Sequence, residues 1–494
     1  MIARLTMPKL LLLLIEVIAI AILGVVASSD FGFADGVRIT LAYLVAYLVP
    51  LIVLERSRGN STTAAVILFL LAAFLAFVGY QLLLLCTFFD DYSLQLPNLQ
   101  GDQRMYYKWA LHHFDGSVES QPVVFPGFPL MMIGLWKVLG VSVVWPQSMN
   151  IMFTLLSTVL MGLTTRRLLA GKVSSSPKAL VAGGMLLTGV LMYYQTMGVC
   201  ILKEASTYLS IALTGFALSS MVTIDEERHR LWVDLLLFVL ACLLMGLVRT
   251  TYMYFLFVGV IIVILPHWRR DWRMGLLMLL VASVSLFLGN QLSAYSFERH
   301  AEIVGGGWNM QRFYVISESQ QFYHDLLNYY FLYSPWHKLL MLPLTMTVQF
   351  IIPLPWTYYD NSTTLSVLSR MTYGWYVVGG TALFYYLFLS WRSKDRLSIW
   401  TWWPVLCYMG ISYIMAGSVA RYIAPFQPLF APVAVYVICR LVEGYNRKAF
   451  ILWAVTFALL VTIALLFCLE VQQSTISRIL HTQSLVHYIK SLGW

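Results

Sequence analysis

Three carboxylates in the first quarter of the chain could do chemistry. Asp90 and Asp91 follow a long apolar run, and Asp102 opens the polar segment GDQRMYYKWALHHFDG at residues 101–116. A partly desolvated carboxylate can remove a proton from a hydroxyl nucleophile or bind a cation. An Asp at the start of a helix also commonly serves as a cap and does no chemistry. The spacing alone leaves both interpretations of Asp102 open.

Three cations form a second candidate group. Lys203 lies beside Glu204 in a short polar turn, Arg249 separates two apolar runs in GLVRTTYMYFLF, and Arg421 opens a late apolar run. Such cations could stabilise the negative charge that develops on a departing phosphate. Lysines and arginines at helix ends also commonly extend toward lipid headgroups without binding a substrate. We favour Arg249 and Lys203 over Arg421 as phosphate ligands.

Aromatic residues accompany the charged ones. After Asp102, residues at helical spacings predict a short helix in the headgroup region: Tyr106, Tyr107, Trp109, Ala110 and His113. Tyr106 and Tyr107 are also candidate contacts for a sugar or an acceptor. Trp308 and His324 lie in a second polar segment and could contact a sugar or an acceptor. Anchoring at the membrane interface is the alternative role for such aromatics. Glu204 is a further candidate contact for the sugar or the acceptor.

A metal site has weaker support in the sequence. Glu204, Asp90 and His324 could supply oxygen or nitrogen ligands, but no HExxH-like or paired-carboxylate spacing connects them. The six cysteines have no metal-ligand spacing either. No cofactor is therefore required, and a divalent metal is left open.

The surrounding chain must hold these residues in a membrane. It has 494 residues, of which 60% are hydrophobic and 11% charged, and its mean hydropathy is +0.75. Apolar runs of about 17 to 25 residues are long enough to cross a bilayer as helices. The sequence therefore predicts an all-α polytopic membrane protein with about 13 spans. The predicted spans are roughly 8–28, 37–55, 62–88, 147–168, 178–198, 204–223, 231–248, 251–266, 273–294, 373–391, 397–416, 421–441 and 449–469.

The distribution of basic residues predicts the orientation. With the N-terminus in the cytoplasm, two long loops, about 89–146 and 293–372, fall on the outer face with Lys203, Arg249 and Arg421. The apolar segment 339–356 contains three prolines and is assigned as interfacial or re-entrant. The basic clusters then fall on the cytoplasmic side: Arg56/Arg58, Arg166/Arg167/Lys172, Arg228/Arg230, Arg269/Arg270/Arg273, Arg392/Lys394/Arg396 and Arg447/Lys448.

Three regions follow from this pattern. Residues 1–61 would form two additional N-terminal spans, and residues 62–471 one integrated catalytic membrane domain. Residues 472–494 would form an outer-face tail, either an interfacial helix or a solvated segment. Function is expected on the outer face, because the long irregular polar loops lie there.

The order of these segments resembles the GT-C superfamily of integral membrane glycosyltransferases. An acidic residue is followed by YY and an alanine, then by FPGFPLMMIGLWKVLG at 125–140 and by a helix that closes on paired arginines. The segments ILKEASTYLSIAL at 201–213 and SVARYIAPFQPLFAPVAVYVICRL at 418–441 fit the same resemblance. The likeness is to bacterial protein mannosyltransferases and the lipid A aminoarabinose transferase. This chain departs in its two extra N-terminal helices and in lacking a sizeable soluble C-terminal domain.

The resemblance implies a transferase of the bacterial inner membrane with its active site facing the periplasm. It would move a sugar from a polyprenyl-phosphate donor to a glycan, lipid or protein acceptor, as in the biosynthesis of cell-envelope polysaccharides. It points to Asp102 as the acceptor-activating base, with Asp90 and Asp91 as competing assignments. Membrane lipids are the other expected partners, and no nucleic acid is expected.

Two other function classes fit parts of the sequence. A polymerase or ligase of lipid-linked O-antigen units would use an oligosaccharide on a lipid diphosphate. A transporter or flippase would place charged or broken helices at mid-membrane. The predicted spans carry almost no ionisable residues in their interiors, which favours an enzyme over a transporter.

Overall fold

The computed structural model describes the greater part of the helical chain. The described residues are 33–56, 101–119, 126–189, 198–222, 231–264, 268–292, 381–390, 395–414, 424–445 and 447–463, with isolated positions within 14–25, 67–75, 123, 339–346 and 466. These residues form helices and turns, and none of them lies in a β-strand. The all-α prediction is confirmed for this part of the chain.

The helices follow the predicted apolar runs closely. The predicted helices 204–223 and 231–248, for example, are observed as Glu204–Val222 and Leu231–Val248. Short 3-10 turns at Thr250–Tyr252 and Gln427–Phe430 precede two of the later helices. The helices are α1 (Phe33–Arg56), α2 (Gly101–Asp115), α3 (Gly127–Leu139), α4 (Val144–Leu169), α5 (Pro177–Gly189), α6 (Glu204–Val222), α7 (Leu231–Val248), α8 (Met253–Ile264), α9 (Trp268–Leu292), α10 (Thr381–Ser390), α11 (Arg396–Ile414), α12 (Ala431–Val442) and α13 (residues 447–463).

Two of these helices are long and apolar enough to cross a bilayer. They are Gly36–Arg56 within α1 and Val144–Leu169, which is α4. Several other predicted spans correspond to shorter apolar helices. The predicted spans at 8–28, 62–88 and 373–391 are described only in part, and the tail 472–494 lies outside the described residues.

The largest core joins α4, α6, α7, α8, α11 and α12. Trp400 and Trp403 of α11 are completely buried in it. The indole nitrogen of Trp403 donates to the Phe255 carbonyl at 2.8 Å, so the buried polar atom is satisfied. A Cβ added at Gly259 would lie 2.4 Å from that nitrogen. Gly259 therefore lets α8 approach α11 closely.

Each outer helix presents an apolar stripe on its unpacked side. Helix α7 buries Phe238, Cys242 and Met245 on one face. The stripe on its opposite face consists of Trp232, Leu236, Leu240, Leu243 and Leu247, all exposed. The i, i+3, i+4 spacing of these residues is that of one helix face. Helices α1 and α13 carry similar exposed stripes of Leu, Ile and Val.

Ionic contacts define one end of the helix bundle, the Arg167 end. An Arg167 guanidinium nitrogen lies 3.4 Å from Asp234 and donates to the Phe216 carbonyl at 2.8 Å. Lys172 Nζ contacts Asp395 at 2.6 Å. Asp234 lies in the first turn of α7 and Arg249 directly follows its last residue, so about 22 Å separates them at 1.5 Å per residue. Arg249 therefore lies at the opposite end of the bundle, the Arg249 end.

The Lys172–Asp395 contact makes stability depend on pH in a defined direction. Burial raises the pKa of Asp395, but hydrogen bonds from Lys172, the Ser398 amide and Tyr386, with the Lys172 charge, leave it below its ordinary value of 3.8. Asp395 therefore stabilises the fold above that ordinary value, and the contribution is lost as pH falls through the lower folded-state pKa. We expect Asp395→Asn to melt below wild type at neutral pH, with the difference in melting temperature closing as pH falls below the ordinary value of 3.8. A gap that is constant with pH would contradict this assignment.

Candidate functional site

The turn at residues 200–203 and the start of α6 carry the first two charged side chains of the site. Lys203 is 9% exposed and Glu204 is 1% exposed. The Lys203 carbonyl accepts hydrogen bonds from the Thr207 amide and hydroxyl, both at 3.1 Å, and so begins α6. Glu204 occupies the first turn, where a negative charge complements the helix dipole.

Arg249 contributes the third charged group. Helix α7 ends at Val248 because Arg249 leaves the helical conformation, with φ −161° and ψ 72°. Its guanidinium nitrogen Nη2 lies 3.9 Å from Glu204 Oε1, and the group lies 4.5 Å from the centre of the Tyr252 ring. Arg249 is only 4% exposed. The structure thus brings two predicted site residues, 45 positions apart in sequence, into one buried contact.

Helix α2 lies directly against this charged turn. Lys203 Nζ is 5.8 Å from the centre of the Tyr106 ring. The Gln103 side-chain oxygen accepts a hydrogen bond from the Ile201 amide at 3.0 Å. Asp102, in the first turn of α2, immediately precedes Gln103 and is half-buried. The candidate base therefore belongs to the helix end that contacts the cation-bearing turn.

Helix α3 packs against the face of α2 that carries Tyr106 and Tyr107. Tyr106 packs edge-on against Phe128 at 5.9 Å between ring centres, and Tyr107 against Trp136 at 5.2 Å. Burial, with a smaller effect of the Asp115 charge, raises the pKa of Tyr107 above its ordinary value, so its hydroxyl stays protonated. Both tyrosines are inward-facing packing residues of α2 as well as candidate substrate contacts.

Gly127 sets the distance between α3 and α7. A Cβ added there would lie 2.1 Å from the Leu247 carbonyl oxygen. Leu247 lies two residues before Arg249, so the close approach places the α2–α3 pair beside the Arg249 end of the bundle. Any larger residue at position 127 would push that pair away from the charged contact.

Several buried polar atoms around the charged contact make no hydrogen bond within the described residues. They are Glu204 Oε2, Ser206 Oγ, Thr250 Oγ1 and Asn150 Oδ1. Buried polar atoms normally have a partner, which can be a bound molecule or water. Two cations, one carboxylate and neighbouring hydroxyls are groups that can bind a phosphate ester and the hydroxyls of a sugar.

A metal centre is not visible in the described part of the chain. No group of three or more His, Cys, Asp or Glu side chains is positioned there to hold a metal ion. Of the candidate ligands, only Glu204 lies within the described residues. Asp90 and His324 lie outside them.

The structure describes six of the predicted site residues. Tyr106, Tyr107, Lys203, Glu204 and Arg249 lie together, with Asp102 on the adjoining helix end. The other predicted site residues are Asp90, Asp91, Trp308, His324 and Arg421, and they lie outside the described residues.

Sequence reasoning missed two residues that contact the charged turn, Asn150 and Gln103. Asn150 is 0% exposed and contacts the turn through its side chain. An Asn near the start of an otherwise apolar predicted span was the signal that could have identified it, because a buried amide needs partners.

No protein-family model, curated protein or solved structure matches this chain.

Proposed function

We propose that this chain is an integral membrane glycosyltransferase. It moves a sugar from a polyprenyl-phosphate donor to a glycan, lipid or protein acceptor on the outer face of the membrane. The observation that carries the proposal is the buried Glu204–Arg249 contact, which lies beside the turn that bears Lys203 and the α2 end that bears Asp102. The GT-C-like order of the sequence segments supports the same reaction class.

The donor phosphate binds at the two cations. Lys203 and Arg249 supply positive charge, and the N-terminus of α6 adds its partial positive charge at the same place. In a buried setting these charges act strongly on the phosphate, because water screens them little. Their effect grows as the phosphate gains charge on leaving the sugar, which lowers the barrier for bond cleavage.

The acceptor attacks in a single displacement. Asp102 takes the proton of the acceptor hydroxyl while its oxygen forms a bond to the anomeric carbon. The bond between that carbon and the phosphate oxygen breaks, and polyprenyl phosphate departs with the electron pair. One displacement inverts the anomeric centre and needs no covalent enzyme intermediate.

The exposed apolar stripes support placement in a bilayer. Contiguous apolar surface of this kind on α1, α7 and α13 would be unfavourable in water and favourable against lipid chains. Arg166, Arg167 and Lys172 lie at the end opposite Arg249. With the basic end in the cytoplasm, the Arg249 end faces outward. The bacterial inner membrane, with about 13 spans, is part of the proposal.

The test is sugar transfer by purified protein from synthetic polyprenyl-phosphate sugars to a membrane extract. We expect transfer by wild type and a loss of at least about tenfold in kcat/KM for Lys203→Met. Lys178→Met is the matched control, because Lys178 is exposed at the start of α5 and should leave transfer unchanged.

The donor decides between the proposal and its rivals. Transfer only from an oligosaccharide on a lipid diphosphate would replace the proposal with a polymerase or ligase. Movement of labelled lipid across proteoliposomes without any transfer would replace it with a flippase. Equal loss in Lys203→Met and Lys178→Met would contradict the assigned phosphate site.

A further inference from the structure

The turn at residues 200–203 is held by two side chains from different helices. On α4, the Asn150 amide nitrogen donates to the Cys200 carbonyl at 2.5 Å and to the Leu202 carbonyl at 2.8 Å. On α2, the Gln103 oxygen accepts from the Ile201 amide at 3.0 Å. Three consecutive residues of the turn are therefore tied by their backbones, and the next two, Lys203 and Glu204, carry charge.

The orientation of the Asn150 amide is fixed by its surroundings. Its NH₂ group contacts two carbonyl oxygens, and the opposite orientation would place three oxygens together without a proton between them. The Asn150 side chain is fully buried on α4. A Cβ at Gly198 would lie 2.4 Å from Thr154 Oγ1, so the chain before the turn also lies tightly on α4. The turn has little room to shift while these contacts persist.

We propose that Asn150 and Gln103 are positioning residues that hold the 200–203 turn so that Glu204 contacts Arg249 and Lys203 stays beside Tyr106 of α2. Neither Asn150 nor Gln103 contacts the polyprenyl-phosphate sugar in this proposal. Asn150 fixes the turn to the helix bundle, and Gln103 fixes it to the helix that carries Asp102. The same turn thereby sets the distance between the phosphate-binding cations and the acceptor-side carboxylate. The link to lipid phosphate rests on the proposed function, whereas the role in holding the turn does not.

Cys200 reports on the turn without any assay of function. Its side chain is buried in the turn, and Cys242 is buried in the middle of α7. Alkylation of each thiol by a maleimide, measured by mass spectrometry of the full-length protein in detergent, follows local opening at each place. A loosened turn exposes Cys200 alone, whereas a loosened bundle exposes both cysteines.

The variants test separately the side chain that donates hydrogen bonds to the turn and the side chain that accepts one from it. Asn150→Asp replaces the hydrogen-bond-donating amide by a carboxylate that faces the Cys200 and Leu202 carbonyls. Gln103→Leu removes the oxygen that accepts the hydrogen bond from the Ile201 amide. We expect each to raise the Cys200 alkylation rate about tenfold with Cys242 unchanged. Gln103→Glu keeps an acceptor oxygen and should retain wild-type rates. Ser157→Ala, which removes one buried hydrogen bond to Phe153 farther along α4, is the matched control.

Two outcomes would overturn the proposal. Unchanged Cys200 protection in Gln103→Leu would do so, and this variant decides the matter even where Asn150→Asp exposes both cysteines by unfolding. The proposal would also be overturned if Cys200 lost its protection while the variant still bound a synthetic polyprenyl phosphate with wild-type affinity. The affinity for phosphate would then not depend on the position of the turn. We expect about tenfold weaker binding instead. Absence of such binding in wild type would contradict the proposed function and leave the alkylation result standing.

Discussion

Arg249→Met is expected to lose both stability and sugar transfer, and addition of Glu204→Gln is expected to restore only the stability. Removing the cation leaves the Glu204 carboxylate buried without the charge that lies 3.9 Å away. Breaking a buried ion pair from one side costs about 3 to 5 kcal/mol. The double variant removes both charges and avoids that cost. Because the phosphate-binding cation is still absent, transfer should stay at least about 100-fold below wild type.

The measurements are chemical unfolding in mixed micelles and kcat/KM for the polyprenyl-phosphate sugar. Arg440→Met is the matched control, since it breaks the Arg440–Glu443 contact of 2.9 Å at the accessible C-terminal end of α12. Ion pairs that are accessible to solvent contribute little to the free energy of unfolding, so Arg440→Met should keep both stability and sugar transfer. Recovery of transfer in the double variant would show that Arg249 acts only by neutralising Glu204, which contradicts its role as a phosphate ligand.

The helices were predictable because length and apolarity are local properties. Helix α7 is a run of leucine, valine and alanine with its one acid, Asp234, in the first turn, and its predicted bounds coincide with the observed ones. The run ends where the polar sequence Arg249-Thr250-Thr251 begins. No information from elsewhere in the chain was needed for that boundary.

Helix α3 was harder to predict, because its sequence contains conflicting signals. Residues 125–140 contain two prolines and three glycines, and sequence analysis treated them as a proline-bearing segment of the outer loop. The structure places Pro126 just before the helix and Pro129 in its first turn, where proline removes no intrahelical hydrogen bond. The prolines therefore allow a helix within the predicted outer loop.

The site was predictable as a set of residues but not as an arrangement. Lys203 and Arg249 were selected for their position at the ends of apolar runs, which is visible in the sequence. The contact of Arg249 with Glu204, the neighbour of Lys203, depends on the packing of α6 against α7. The role of Asn150 depends on the packing of α4 against the turn before α6, since its two acceptors lie about 50 residues farther along the chain. Contacts between distant segments are absent from local sequence patterns.

Asp102→Asn is expected to lower kcat for sugar transfer by about 100-fold to 10,000-fold, the range that general bases contribute. The amide has nearly the shape of the carboxylate and can still accept a hydrogen bond at the start of α2, but it cannot take the acceptor proton. Donor binding should stay at the wild-type level, because the cations Lys203 and Arg249 lie on other elements. The measurement is kcat for transfer together with direct binding of a polyprenyl phosphate.

Asp115→Asn is the matched control for this prediction, because it changes the same charge at the other end of the same helix. Asp115 is exposed, and its carboxylate accepts a hydrogen bond from the Ser117 amide at 2.9 Å. The Ser117 side chain and amide hold its pKa below the ordinary value, so it is ionised at neutral pH. Removing its charge should leave kcat unchanged. If both variants lose transfer equally, the negative charge of α2 matters and Asp102 is not the base; full activity in Asp102→Asn with loss in Asp90→Asn or Asp91→Asn assigns that role to the earlier pair.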